Sequence, residues 1–228
     1  MVLLLYLCSM FDSQIGLREK KHAQTKIHIL TETLKQMREK NFDEINVKDI
    51  CNQIPVSEVT FYNYFPRKSD LILYFLHLYT VSATHHVENK LLEETGLQAI
   101  EELFNYTADE IRKHPNVIAE VIVFLARHKE KLCFTELSEA ERQLVFPENT
   151  EIVEDKTHIF LDDFLMQKLG NAIKKGQLPA NTNMKTALYG ITSIFYGIPL
   201  ILEKKNPAQI KNMYNQHLKL LWRGLRND

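Results

Sequence analysis

The chain has 228 residues, 45% apolar and 25% charged, enough for a sizeable hydrophobic core in one or two domains. Its formal net charge of −1 excludes a general polyanion binder, so any nucleic-acid surface has to be a local patch. Three scattered cysteines without a CxxC pair exclude a disulfide framework and a zinc ribbon, and fit a reduced, cytoplasmic protein.

The first residues, MVLLLYLCSMF, are apolar but too short to span a bilayer. They also lack the basic start and small-residue cleavage site of a signal peptide. Two readings stand: translation begins at Met10, or the segment is an ordered extension packed on the body. A membrane anchor ranks behind both, and residues 1–19 are set apart as an N-terminal extension.

Beyond it, Gly and Pro are few and apolar residues recur at three- and four-residue steps, which predicts an all-α fold. From Gln24 to Lys40 a stripe of Ile27, Leu30, Leu34 and Met37 marks a first helix. Asn41 is expected to end it in the left-handed conformation. Asn46 caps a short second helix from Val47, which the Ile54-Pro55 pair stops. Ser57 caps a third helix running to about Tyr64, and Pro66 closes it. Ser69 and Asp70 open a long fourth helix toward Glu93, and Gly96 breaks the pattern.

Longer helices follow, at about Leu97–His114, Asn116–Phe134 with a kinked continuation to Phe146, and Glu151–Lys175. Two more cover about Asn183–Glu203 and Pro207–Arg226. This layout divides the chain into a small helical domain at 20–68 and a larger helical domain at 69–228.

The stretch IPVSEVTFYNYFPRKSDL carries the functional signal. Two short helices joined by a tight turn make a helix–turn–helix. Phe61 and Phe65 lie one turn apart and can face Leu30 and Leu34 in the core. Ser57, Glu58, Val59, Thr60, Tyr62, Asn63 and Tyr64 are left to meet phosphates and base edges. Lys68, beside Arg67, stands just before the long helix, whose free N–H groups favour a phosphate. Lys26, with Arg18, Lys20 and Lys21, forms a second basic cluster, and Lys48 starts the second helix. Taken singly, the tyrosines read as packing and the cations as solvated; taken together, they point to DNA.

Residues Thr25 to Ile72 resemble the TetR family of transcriptional regulators. The pattern V-S-x-x-T-[aromatic or Leu]-Y-x-[Tyr or His]-F-x-x-K-x-x-L is met by Val56, Ser57, Thr60, Phe61, Tyr62, Tyr64, Phe65, Lys68 and Leu71. The turn departs from it. Ile54-Pro55-Val56 replaces the common Ala-Gly-Val, and proline cannot supply a positive φ. Glu58 and Val59 stand where Lys or Arg and then Gly are common, which implies weaker nonspecific binding and an altered operator preference.

The resemblance implies a helix–turn–helix DNA-binding domain followed by a ligand-binding and dimerisation domain. It also implies a homodimer on a palindromic operator, with half-sites about 34–36 Å apart. Apolar residues on more than one face of the Asn183–Glu203 and Pro207–Arg226 helices mark them as the dimer surface. Gly190, Ser193 and Gly197 form a small-residue stripe, for which tight packing within the chain is the commoner cause. An apolar or amphipathic effector would meet lining residues drawn from Phe104, Tyr106, Phe124, His128, Phe160, Phe164 and Tyr189, though for any one of them an ordinary core position is the favoured reading.

Asp155, His158 and Asp162, and His85-His86 with Glu88, read as solvated faces or local ion pairs rather than metal sites. No cofactor is expected. No nucleophile with its base is evident, so an enzyme ranks last. The main alternative is a helical sensor whose reading head has lost DNA affinity, for which Pro55 and Glu58 argue.

Overall fold

The computed structural model describes residues 15–91, 96–127, 135–146, 160–202 and 209–227. Among these, every regular element is helical. α1 is Leu17–Gln36, α2 Val47–Gln53, α3 Glu58–Tyr64, α4 Asp70–Lys90 and α5 Gly96–Lys113. α6 is Pro115–Arg127, α7 Glu139–Val145, α8 Leu161–Lys174, α9 Met184–Leu202 and α10 Ile210–Asn227. A 3-10 turn, Phe42–Glu44, precedes α2. By its contacts the chain divides into two compact units, Met1–Val81 with Val123–His158, and Ser82–Ile122 with Ile159–Asp228. Two of the three boundaries fall inside α4 and α6.

In the first unit α1 is the spine. Ile27, Leu30, Leu34 and Met37 are all buried, as their spacing predicts, together with Phe42, Ile50 and Phe61. α1 begins at Leu17, ahead of the expected Gln24. Its polar first turns interrupt the apolar rhythm, and only Ala23 there is fully buried. Its end also differs from expectation. Asn41 is extended (φ −67°, ψ 152°), and no non-glycine residue described has a positive φ. α1 instead tightens through i→i+3 bonds, Arg38 N–H to Lys35 O and Glu39 N–H to Gln36 O. Such bonds satisfy terminal carbonyls without a left-handed residue. Asn41 then starts the 3-10 turn, its N–H donating to Glu44 Oε2 at 2.9 Å.

In the second unit α5 packs on α8 and α10, and α9 packs on α8 and α10. Gly96 opens α5 rather than merely interrupting the pattern: a Cβ there would stand 2.3 Å from the Lys168 carbonyl oxygen and 2.4 Å from the Ala172 nitrogen. α8 ends in a Schellman motif. Gly176 is left-handed (φ 69°), its N–H donates to Ile173 O, and the Gln177 N–H donates to Ala172 O.

An aromatic knot of Phe104, Phe195 and Tyr214 fills the centre of this unit, with Phe104 edge-on to both partners. α9 contains Pro199, which has no N–H to offer the Phe195 carbonyl one turn earlier. The Tyr214 hydroxyl donates to that same carbonyl at 2.7 Å, so the acceptor left over by the proline is satisfied from α10.

Candidate nucleic-acid interface

α2, the turn and α3 form the expected helix–turn–helix within the first unit. The turn closes by a bond from the Val56 N–H to the Ile54 carbonyl at 2.7 Å, an i→i+2 closure that needs no positive φ. Proline is therefore accommodated where glycine is common. Ser57 caps α3: its Oγ accepts from the Thr60 N–H at 3.1 Å and pairs with Thr60 Oγ1 at 2.9 Å.

α3 has two edges. Phe61 and Phe65 are buried, their rings 5.9 Å apart, and Phe65 meets the Tyr74 ring at 5.6 Å. On the outside Ser57, Glu58, Val59 and Asn63 are exposed, and Tyr62 is 46% exposed. Lys48, at the start of α2, is exposed as well. Thr60 is half-buried. So is Tyr64, whose ring rests 4.5 Å from that of His22 on α1.

Two of the lysines expected at DNA are engaged within the fold. Lys68 Nζ donates to the carbonyls of Phe42 at 2.7 Å, Ile45 at 3.0 Å and Asp43 at 3.4 Å, and lies over the Phe42 ring. It ties the start of α4 to the 3-10 turn, and its ammonium is not held out toward a phosphate. Lys26 is also turned inward, with a side chain only 12% exposed. Its Nζ pairs with Glu141 of α7 at 2.8 Å and lies 4.2 Å from the centre of the Tyr74 ring. In each case an acceptor from a distant part of the chain reaches the ammonium. Arg67 stays exposed but is steered by Asp70, which accepts from its backbone N–H and its Nε.

Glu141 was not legible as part of this site. Its carboxylate accepts from the Tyr74 hydroxyl at 2.5 Å, from Lys26, and through Oε2 from the Ser138 N–H at 3.0 Å. Burial pushes the carboxyl up, but the Lys26 charge and the hydrogen bonds more than offset it and hold it below the ordinary range. Burial and the Glu141 charge push the Tyr74 phenol far up, so it stays a donor. The sequence does carry the Ser138–Glu141 capping box, but that spacing marks a helix start and says nothing of a buried ion pair. Between these groups lies a cavity of about 310 Å³, lined by Lys26, Tyr64, Phe65, Asp70, Tyr74 and His77 among others. Cys51 is buried, and burial followed by the nearby Glu58 charge raises its thiol, which fits packing rather than reactivity.

The expected effector residues do not form one group. Phe124 is buried in the first unit. In the second unit Phe104 and Phe164 are fully buried, while Tyr106 and Phe160 are half-buried. The Tyr106 ring lies tilted against that of His86 with centres 4.7 Å apart, and its phenol is pushed up mainly by burial. Tyr189 is 58% exposed, so within one chain it lines no interior. His128 lies outside the described residues, as do Asp155 and His158 of the metal half-site. Among the described residues no three His, Cys, Asp or Glu side chains converge to hold a metal ion. His86 and Lys90 instead both contact Glu102 Oε1, at 2.9 and 2.8 Å.

A helix–turn–helix opening an all-helical chain defines the class. Residues 29–75 match the model for bacterial regulatory proteins of the tetR family, which describes the N-terminal domain of such proteins. Solved structures extend the likeness of fold to most of the chain. One, described as the molecular basis for control of antibiotic production by a bacterial hormone, has a TM-score of 0.62 and 17% identity over 89% of this chain and 98% of its own. FadR of Thermus thermophilus, a TetR-family transcriptional repressor in complex with lauroyl-CoA, gives 0.61 and 16% over 88% and 94%. PfmR, a TetR-family transcriptional regulator also of Thermus thermophilus, gives 0.55 and 18% over 86% and 98%. No curated protein matches the sequence significantly.

Proposed function

We propose that the protein is a ligand-responsive, homodimeric transcriptional repressor that reads a palindromic operator through α3. One observation carries this reading: the division of α3 into a buried aromatic edge and an exposed edge of Ser57, Glu58, Val59, Tyr62 and Asn63. The exposed edge offers a hydroxyl, an amide, a carboxylate and a methyl-bearing side chain, the groups that meet phosphates, amines and thymine methyls in a major groove. Exposed Lys48 and Arg67 supply charge beside it.

The dimer surface is proposed on α9 and α10. Tyr189, Leu200 and Ile201 of α9 and Leu220 of α10 are exposed apolar side chains. By length and composition α9 would also pass for a membrane-crossing helix, but it packs on α8 and α10, and an apolar outer edge suits a second copy of the chain in the cytoplasm. Gly190 is explained within the chain, since a Cβ there would come 3.0 Å from Leu221 Cδ1. The effector is proposed to be a small apolar or amphipathic molecule held in the second unit near Tyr106, Phe160 and Phe164. The lauroyl-CoA bound by FadR of Thermus thermophilus supports that chemistry. Its binding would favour one arrangement of α4, and the difference in affinity between arrangements would set the response.

The engaged Lys26 and Lys68, and the exposed Glu58, favour a second reading as a sensor with weakened DNA affinity. A gel shift on DNA upstream of the protein's own gene separates the two. A sequence-selective shift that weakens with salt supports the repressor, and no shift at low salt supports the sensor.

A further inference from the structure

α7 follows α4 only after a long excursion of the chain, yet it packs directly on α1. The helices approach through small residues, with Ala23 and Ala140 both fully buried beside Ile15. At this contact Glu141 joins Lys26 of α1 to Tyr74 of α4. Each partner is one step from the C-terminal end of α3. His22, one turn before Lys26, touches Tyr64, and the Tyr74 ring touches Phe65. A cleft of about 310 Å³, open on one side to solvent, lies among these residues, beside the buried Phe65. Across the cleft no side chains pack against one another, so there the polar junction adds a fixed link between α1 and α4 to the packing of Phe65 on Tyr74. Removing one member of a buried charge pair leaves the other uncompensated, so the junction tolerates little play.

We propose that Glu141 is a positioning residue for DNA reading: its carboxylate holds α1 and α4 at the distance that aims α3. This rests on the DNA-binding reading above, and the test keeps the two apart. Hydrogen–deuterium exchange is followed on the full chain, without DNA, for wild type and Glu141→Gln. Exchange over residues 57–65 is expected to quicken about tenfold while α9 is unchanged, and Lys26→Arg, which keeps the charge, is expected to behave as wild type. The ratio of operator to nonspecific affinity at fixed salt is expected to fall about tenfold in Glu141→Gln, with nonspecific affinity held.

Unchanged exchange over residues 57–65 overturns the proposal whether or not the protein binds DNA. Equal loosening of α3 and α9, or a parallel fall in both affinities, marks a general stability effect and overturns it too. Quickened α3 exchange in a protein whose wild type selects no operator supports the junction and sinks the repressor reading instead. Should Glu141→Gln fail to fold, Tyr74→Phe, which removes a single bond, carries the same comparison.

Discussion

Tyr62 and Lys68 stand at opposite ends of what a side chain near a reading helix can do. Tyr62 is exposed and its neighbour Phe61 fills the core, so Tyr62→Ala should leave stability within about 0.5 kcal/mol while lowering operator affinity about tenfold. Thermal unfolding and a titration of labelled operator check both halves. Lys68 spends its ammonium on backbone carbonyls, so Lys68→Ala should cost about 2 kcal/mol in urea unfolding. A loss of DNA affinity with no loss of stability would restore it to the phosphate. Glu141 adds a dependence on acid. Its folded carboxyl sits below its ordinary value of 4.5, so its stabilisation is complete above that value and is lost as pH falls through the lower folded one. Glu141→Gln should therefore unfold with a flatter acid limb than wild type. The spacing of Phe61 and Phe65 made the inner edge of α3 legible, because periodicity reports burial. The fates of Lys26 and Lys68 were not, because their acceptors lie far along the chain and periodicity says nothing of what an ammonium meets.

Strong apolar rhythm makes the helix bodies legible in the sequence, and their ends less so. α2 and α3 were placed to within a residue because Ser57, Pro55 and Pro66 are local signals that act on the backbone next to them. The first turns of α1 were missed because Arg18, Lys20 and Lys21 carry no apolar rhythm there. In the sequence Gly96 looks like a break, whereas it is required by the approach of α5 to α8. Gly96→Ala should clash with backbone atoms of α8 rather than with a movable side chain, and should cost about 1–3 kcal/mol in denaturant unfolding. A neutral result would mean that α5 can withdraw from α8 without loss.

Across the whole chain, near-neutral charge hides an uneven surface. The apolar outer edge of α9 is one part of that unevenness. Ile201→Arg is expected to convert the proposed dimer to a monomer in sedimentation velocity while helical content is kept, because a buried arginine without a partner is costly at a symmetric contact. A species of unchanged mass would move the association surface elsewhere. The edge that this substitution probes is not carried by α9 alone. Pro199 removes one rung from the ladder of α9, and Tyr214 lends the rung back from α10. Leu200 and Ile201 follow that repaired rung directly, so a pull on them is shared with the neighbouring helix. The two helices would then answer a partner as one stiff plate, and a load applied at its rim would travel into the aromatic knot behind it instead of ending at a frayed terminus.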